Sequence, residues 1–411
     1  MGKYKYSKEG LKGLTPFPFL GEVKTRVKAI EAAEATIPQS VFNPNIVGAK
    51  LHPAVQYCKI AKVENHGDAK SFTLVPDEAK GTKELAYFRA SQYVSVTLNI
   101  DGQPTTKPYT IRSNPKDAMG SENNSYILTI KRTNPAFVSA WILENWKEGD
   151  EVEISGPLGD FYYQELRDAK DVIAIAGGSG ITPFYSMAAA IVDGIEDFNL
   201  TILYGSRTED GILLKDEIEA LAAKSAGKVK VVHVLSEEKK DGYENGFITA
   251  ELIRKYAPAD KPFSVFMCGP KAMYIFGEGE CKKLGLAKKY YRMEMSGDYQ
   301  NVTKNEDYPK NQVDKEYKLT VVIRGEKTET VCAAGESLIW ALEKAGIKAP
   351  SHCRSGECGW CHSRLISGEV YVPADADGRR MADKKFGWIH PCASFPLSDI
   401  EIEVFPLNYV K

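Results

Sequence analysis

Asp171-Val172-Ile173-Ala174-Ile175-Ala176-Gly177-Gly178-Ser179-Gly180-Ile181-Thr182-Pro183 decides how the middle of this chain folds. Six residues led by β-formers, without a charge after Asp171, suit a strand buried on both faces by helices. The glycines then break the run, and Pro183 is placed for the first turn of a helix, where a missing N–H costs nothing. The uncharged stretch continues to Val192 and is long enough to span a bilayer. Gly177, Gly178, Gly180 and Pro183 divide it instead into a strand, a tight turn and a helix. Such a turn lets a pyrophosphate approach the backbone and meet helix N–H donors. Close packing without a ligand is the plainer reading of the same glycines.

Outward from this unit the pattern repeats. Apolar runs at Leu200–Tyr204, Val229–Leu235 and Phe263–Met267 alternate with helical segments at Pro183–Val192, Lys215–Ala223 and Ile248–Tyr256. That alternation predicts a parallel α/β sheet. Upstream, Tyr93–Leu98, Ser125–Ile130 and Glu151–Ile154 are short β-rich runs separated by turn residues, which predict a small antiparallel barrel. Downstream, Ser296 to Lys315 is rich in Asn, Asp and Lys and reads as a solvated linker. Strands resume at Tyr317–Ile323 and Thr328–Cys332, and a helix at Ser337–Ala345 stops at Gly346. The expected fold class is multidomain α/β and β. It comprises an N-terminal extension (1–50), a barrel (51–165), an α/β domain (166–296), a linker (297–315) and a C-terminal domain (316–411). The extension is read as packing on a neighbouring domain, with a docking arm as the alternative.

Composition bounds the rest. Across 411 residues, 53 basic and 55 acidic side chains leave a formal charge of −2. Nucleic-acid coating and anionic-membrane binding usually need a basic excess, so neither is expected. The start, Met1-Gly2-Lys3-Tyr4-Lys5, leads into no long apolar core, so no signal peptide and a cytoplasmic location are expected. Eight cysteines, unevenly spaced, do not suggest a disulfide framework.

Four of them suggest something else. Cys353, Cys358 and Cys361 are separated by four and then two residues, and Cys392 follows after thirty more. This is the plant-type [2Fe–2S] spacing. Gly356 and Gly359 allow the tight path that turns backbone N–H groups toward the sulfurs. Zinc sites more often use paired C-x2-C knuckles, and only one such pair occurs. His352, His362 and His390 lie beside these cysteines and are read as surface or neighbouring groups. Cys58, Cys281 and Cys332 are read as ordinary buried residues. From Cys353-Arg354-Ser355-Gly356-Glu357-Cys358-Gly359-Trp360-Cys361 to Gly368-Glu369-Val370 the segment resembles the plant-type ferredoxin domain, a β-grasp fold.

Residues 55–295 resemble the ferredoxin–NADP reductase superfamily. The resemblance rests on Lys107-Pro108-Tyr109-Thr110, on Gly149 to Phe161, on Gly177 to Pro183 and on Cys268-Gly269-Pro270 with Met273. It implies that Tyr109 lies against the flavin ring and that Thr110 bonds near flavin N5. It implies that Gly177, Gly178 and Gly180, with Thr182 and Pro183, hold the nicotinamide dinucleotide, and that Cys268, with Gly269 and Pro270, sits near the nicotinamide. Glu294 matches a position close to the flavin. Thr110, Cys268 and Glu294 are thus the implied catalytic set. Lys107 stands where the family has arginine, keeping a charge for the flavin phosphate without the bidentate fork. Pro135-Ala136-Phe137-Val138-Ser139 stands where the family has G-G-x-x-S, leaving Ser139 as the matching flavin contact. Ser91 replaces the usual glycine before Gln92. FAD is the implied flavin, with FMN as the alternative.

Ser206 and Arg207, after the second α/β strand, could bind a 2′-phosphate, whereas Glu209 and Asp210 would repel one. NADH is therefore favoured over NADPH. A flavin accepts two electrons as hydride and releases them singly, which suits a one-electron cluster. The implied protein is an NAD(P)H-dependent reductase passing electrons to a partner redox protein, as in reductase components of multi-component oxygenases. The alternative is a permanently bound electron-transfer subunit of a larger complex.

Overall fold

The computed structural model describes residues 17–32, 42–118, 120–133, 137–294 and 297–405. Helices α1 (Phe17–Ala32) and α2 (Asn43–Leu51) lie toward the N-terminus. Among the described residues, those up to Lys50 form one unit and those from Leu51 on form a second. No helix among the described residues is long and apolar enough to cross a membrane.

Six antiparallel strands follow: β1 (Gln56–His66), β2 (Ala69–Pro76), β3 (Tyr93–Ile100), β4 (Gln103–Thr110), β5 (Tyr126–Lys131) and β6 (Glu151–Ile154). Their order is β4-β3-β6-β1-β2-β5, and a bridge between Ile111 and Leu128 brings the two ends of the sheet together. The closed edge leaves few ladder groups unpaired. Phe72, Leu74, Val94, Val96, Tyr126, Leu128 and Ile154 fill the interior, and α3 (Val138–Asn145) adds Ile142 and Leu143 to it.

Ser91 sits at φ +84 and is fully buried, with its hydroxyl unpartnered. The family glycine is the residue that tolerates this conformation, and serine carries both the Cβ strain and a buried orphan hydroxyl. Ser91→Gly is therefore expected to stabilise the barrel by about 1–2 kcal/mol, read as a higher urea midpoint.

The α/β part holds β7 (Asp171–Gly177), α4 (Thr182–Val192), β8 (Asn199–Ser206), α5 (Lys215–Lys224) and β9 (Val229–Leu235). It continues with β10 (Glu244–Asn245), α6 (Ala250–Tyr256), β11 (Phe263–Cys268), α7 (Lys271–Lys283) and β12 (Tyr291–Met293). The sheet order is β10-β9-β8-β7-β11-β12, with every pair parallel. Apolar residues of β7 alternate between two cores, Val172, Ala174 and Ala176 on one face and Ile173 and Ile175 on the other. That is why the run lacks charges. The uncharged stretch to Val192 resolves into β7, a one-turn 3₁₀ segment over Gly178–Ile181 and α4.

The C-terminal sheet comprises β13 (Glu316–Ile323), β14 (Glu326–Ala333), β15 (Ser363–Ser367), β17 (Trp388–Ile389) and β19 (Ile400–Val404), ordered β14-β13-β19-β15-β17. It packs on α8 (Leu338–Lys344). Strands β16 (Val370–Tyr371) and β18 (Phe395–Pro396) pair beside it, and α9 is Met381–Lys385.

The segment expected to be a solvated linker is not solvated throughout. Val302 and Tyr308 are buried with Phe395, beside Tyr299 and Tyr371. Tyr308 donates to the Ala334 carbonyl at 2.9 Å, and Asp298 enters an ion network described below. Composition misled because the few apolar side chains that pack here, Tyr299, Val302 and Tyr308, stand singly among polar residues, so no periodicity marks them.

Candidate functional site

The three parts of residues 51–411 face a common cavity of about 1810 Å³. It is larger than the ~300–1,000 Å³ usual for a single ligand. Tyr109 and Thr110 line it from the end of β4, Ser139 from α3, and Gly177, Gly178, Gly180 and Thr182 from the turn after β7. Cys268, Gly269 and Pro270 line it from the end of β11, Glu294 from the segment after β12, and Cys353, Glu357 and Cys358 from the C-terminal domain. Ligands in open parallel sheets bind at the carboxyl ends of strands, where β7 and β11 end here.

The glycines after β7 divide by what surrounds them. A Cβ on Gly180 would lie 2.0 Å from the Cys268 carbonyl oxygen, so Gly180 exists to let two strand ends touch. Gly178 has φ +55 and open space where a side chain would be, so its backbone is the approachable one. Tyr204 on β8 donates to the Gly178 carbonyl at 2.9 Å and fixes the turn. Thr182 donates to the Ser179 carbonyl at 3.0 Å, and Pro183 is buried in the first turn of α4. Close packing therefore accounts for Gly180, and Gly178 is left with an approachable backbone. Gly180→Ala is expected to displace the Cys268 turn and cut kcat/KM for NADH about 100-fold, the scale of a 1 Å misplacement. Flavin absorbance, which depends on the barrel, should persist.

Around Cys268 the groups are tied together by hydrogen bonds. Tyr274 on α7 accepts the Gly269 N–H at 3.1 Å and donates to the Glu294 carbonyl at 2.5 Å. Burial, then the Glu294 charge, pushes the Cys268 thiol up, so it stays protonated. Burial pushes the Glu294 carboxyl up to about 8, helped by Glu357 and Asp160. Arg292, just before it, donates to Asp168 at 3.0 Å in a buried pair and anchors β12. Because the Glu294 carboxyl has a raised folded value, it destabilises the fold as pH climbs from 4.5 toward 8. Over that window the unfolded chain releases the proton first. Glu294→Gln is expected to flatten stability across this window, as urea midpoints at pH 5 and pH 8 would show.

Not every sequence-read residue reaches the cavity. Lys107 lines it, but its ammonium is paired with Asp298 and lies 5.1 Å from the centre of the Trp340 ring. Ser139 uses its hydroxyl to accept the Thr133 N–H at 3.0 Å. Pro135 and Ala136 fall outside the described residues. Ser206 and Arg207 do not line the cavity. Ser206 Oγ is buried without a partner at the end of β8, while Arg207 is 82% exposed and faces Glu237 at 3.5 Å. Glu209, expected to repel a 2′-phosphate, is instead engaged by Lys215 at 2.5 Å, by Lys240 and by Tyr243 at 2.5 Å.

The four cysteines gather at the other end. Cys353 Sγ accepts the N–H of Ser355 at 3.5 Å and of Cys358 at 3.4 Å, and Cys358 Sγ accepts that of Trp360 at 3.5 Å. The sulfurs of Cys361 and Cys392 are 3.4 Å apart. Hydrogen bonds from the Cys358 and Cys392 thiols hold Cys353 far below the ordinary thiol range. Gly356 (φ +84) and Gly359 (φ +72) make the path, and a Cβ on Gly356 would meet the Ala376 carbonyl at 2.0 Å. Donors aimed at sulfur and sulfurs in mutual reach are what a [2Fe–2S] cluster needs, so the residues fit it. Among the described residues no three His, Cys, Asp or Glu side chains surround one point as a single ion requires. A two-iron cluster asks instead for two thiolates at each iron.

The neighbouring histidines make contacts within the fold. His352 Nδ1 lies 2.9 Å from Ser95 Oγ on β3, and His390 Nδ1 lies 2.6 Å from the Gly356 carbonyl. His362 stacks on Trp388 with ring centres 4.2 Å apart. Cys58, Cys281 and Cys332 are fully buried.

Sequence comparison assigns each part. The family model of the oxidoreductase FAD-binding domain matches residues 62–163, that of the oxidoreductase NAD-binding domain 174–277, and that of the 2Fe-2S iron-sulfur cluster binding domain 321–397. The chain thus carries a flavin-binding, a nicotinamide-binding and a [2Fe–2S] domain in that order, as its resemblance to the ferredoxin–NADP reductase superfamily and to the plant-type ferredoxin domain implies. It is an NAD(P)H-dependent iron–sulfur flavoprotein oxidoreductase. The glycine betaine monooxygenase reductase subunit of Chromohalobacter salexigens is 25% identical over 89% of this chain and 99% of that protein. NADH-cytochrome b5 reductase 1 of Lodderomyces elongisporus is 35% identical over 48% of this chain and 64% of its own. The structure of phthalate dioxygenase reductase, described as modular for electron transfer from pyridine nucleotides to [2Fe–2S], superposes with a TM-score of 0.58. It is 25% identical and covers 86% of this chain and 98% of its own.

Proposed function

We propose that this reductase takes hydride from NADH and delivers electrons singly to the oxygenase component of a two-component monooxygenase or dioxygenase. The observation that carries the reading is the common cavity lined by Tyr109 and Thr110, by Gly177, Gly178 and Cys268, and by Cys353 and Cys358. When bound, the flavin supplies conversion between a two-electron hydride donor and a one-electron cluster. The chain's own residues do the placing. Tyr109 and Thr110 hold one face of the flavin ring, and the open Gly178 backbone receives the dinucleotide pyrophosphate. Cys268, neutral and fixed by the Tyr274 bonds, backs the nicotinamide without adding charge. Glu294, protonated near neutrality, keeps a proton close to the ring. Cys353, Cys358, Cys361 and Cys392 hold the cluster, and Ser95 and His352 keep its loop on the barrel. We place the protein in the cytoplasm, where ligand thiols stay reduced.

The preference for NADH rests on the surroundings of Arg207. Glu237 faces Arg207 at 3.5 Å, and Glu238 accepts the Glu209 N–H at 2.8 Å, so carboxylates flank the arginine that a 2′-phosphate would need. A 2′-phosphate would enter an acidic neighbourhood. The likeness to a protein named NADH-cytochrome b5 reductase supports the same choice. A kcat/KM at least tenfold higher for NADH, about 1.4 kcal/mol, is expected. A tenfold preference for NADPH would show that Arg207 prevails. Anaerobic mixing with NADH tests the whole reading, with flavin bleaching expected first and cluster reduction, read by paramagnetic resonance, second. Cluster reduction without prior flavin bleaching would overturn the order.

A further inference from the structure

Four charged side chains meet between the flavin barrel and the cluster loop, away from most solvent. Lys107 on β4 pairs with Asp298 Oδ2, and Arg354 Nε donates to Asp298 Oδ1 at 2.5 Å. The two terminal nitrogens of Arg354 donate to both Glu343 oxygens, at 2.6 and 3.0 Å. Glu343 Oε1 also accepts the Thr106 N–H at 3.3 Å, which returns the chain of contacts to β4. The circuit therefore runs from the barrel, through the segment after β12, to the residue beside Cys353, to α8, and back to the barrel. Arg354 is completely buried, and Glu343 and Lys107 nearly so.

Its composition explains how it survives burial. Two cations and two carboxylates cancel, and each charge has a partner, which is the condition for keeping ions out of water. Against the upward push of burial, Arg354 and Lys107 hold the Asp298 carboxyl down at about 2, so it stays ionised at working pH. Arg354 occupies φ +61, a conformation that strains an arginine and needs holding in place. Gly297 N–H adds a bond to the Cys353 carbonyl at 2.9 Å, so the stretch carrying Asp298 also grips the first cluster ligand directly.

We propose that Asp298 is a positioning residue that clamps the cluster loop onto the flavin barrel, setting the gap electrons cross between the two cofactors. The inference rests on the function proposed above and deepens it. It also gives Lys107 a task that its place in the flavin motif does not suggest: this lysine belongs to the joint between domains. The clamp makes and breaks no bond. It fixes a distance.

The test uses the full-length holoprotein with Asp298→Asn, which keeps the shape and removes the charge. NADH should bleach the flavin at the unaltered rate, since Asp298 takes no part in the nicotinamide turn. Subsequent cluster reduction should slow about tenfold or more, the scale on which misplaced partners lose rate. Hydrogen exchange should quicken at the Thr106 and Gly297 amides, a readout independent of turnover. Glu343→Gln, which loosens Arg354 from the far side, should give the same pattern and serves if the first variant misfolds. Cluster reduction at the unaltered rate in both variants would overturn the clamp. So would equal slowing of bleaching and cluster reduction, which marks a merely structural role. Failure of NADH to bleach flavin in the unaltered protein would instead overturn the functional reading.

Discussion

Serine at any one of Cys353, Cys358, Cys361 or Cys392 is expected to remove or destabilise the cluster and drop reduction of a protein acceptor to background. A serine oxygen is a harder and far less acidic ligand than a thiolate. The local structure adds to the loss, because backbone N–H groups aimed at Cys353 and Cys358 would point at a smaller oxygen. Reduction of ferricyanide should survive, since that small acceptor approaches the flavin directly. Cys332→Ser is the control. Its thiol donates to the Ala333 and Glu336 carbonyls, and the substitution should leave iron and acid-labile sulfide unchanged. Zinc bound in proportion to protein, with no sulfide, would refute the assignment.

Ending the chain after Ser296 is expected to separate hydride chemistry from delivery. The cores of the barrel and of the α/β part draw on residues up to Met293, and the C-terminal core begins at Tyr299. Each side therefore keeps its own interior when cut there. The cut also takes Asp298 from Lys107, but it removes the covering Trp340 as well, so the lysine gains water rather than being stranded. The shortened protein should keep its flavin and its ferricyanide activity and lose cytochrome c reduction, which draws on the cluster domain. Cytochrome c reduction at the full-length rate would mean that electrons leave from the flavin. Loss of flavin would mean that Trp340 and its neighbours on α8 form part of the flavin site.

These two experiments depend on different kinds of information. The gathering of Cys353, Cys358, Cys361 and Cys392 was legible because three of them share one loop with the plant-type spacing. The strand Asp171–Gly177 was legible because burial on both faces leaves no place for a charge, whatever the rest of the chain does. The order of motifs from Lys107 to Met273 carried the flavin and nicotinamide assignment in the same way, through local turns that only certain residues can make.

What escaped the sequence was which polar groups of distant segments meet. Gly180 looks like a ligand-binding glycine, and only the approach of Cys268 shows that it serves packing. Glu209 looks like a free carboxylate, yet Lys215 and Lys240 reach it from an adjoining helix and a loop. Lys107 reads as a phosphate anchor until Asp298, 191 positions away, is found against it. The stretch from Ser296 to Lys315 is polar in composition, and its role in joining two domains depends on which polar groups meet. Local sequence determined the strands, turns and ligand spacing, because steric and solvation rules act on neighbours. Charge pairing and cavity shape were decided only in three dimensions, because a side chain's energy depends on partners that the fold alone selects.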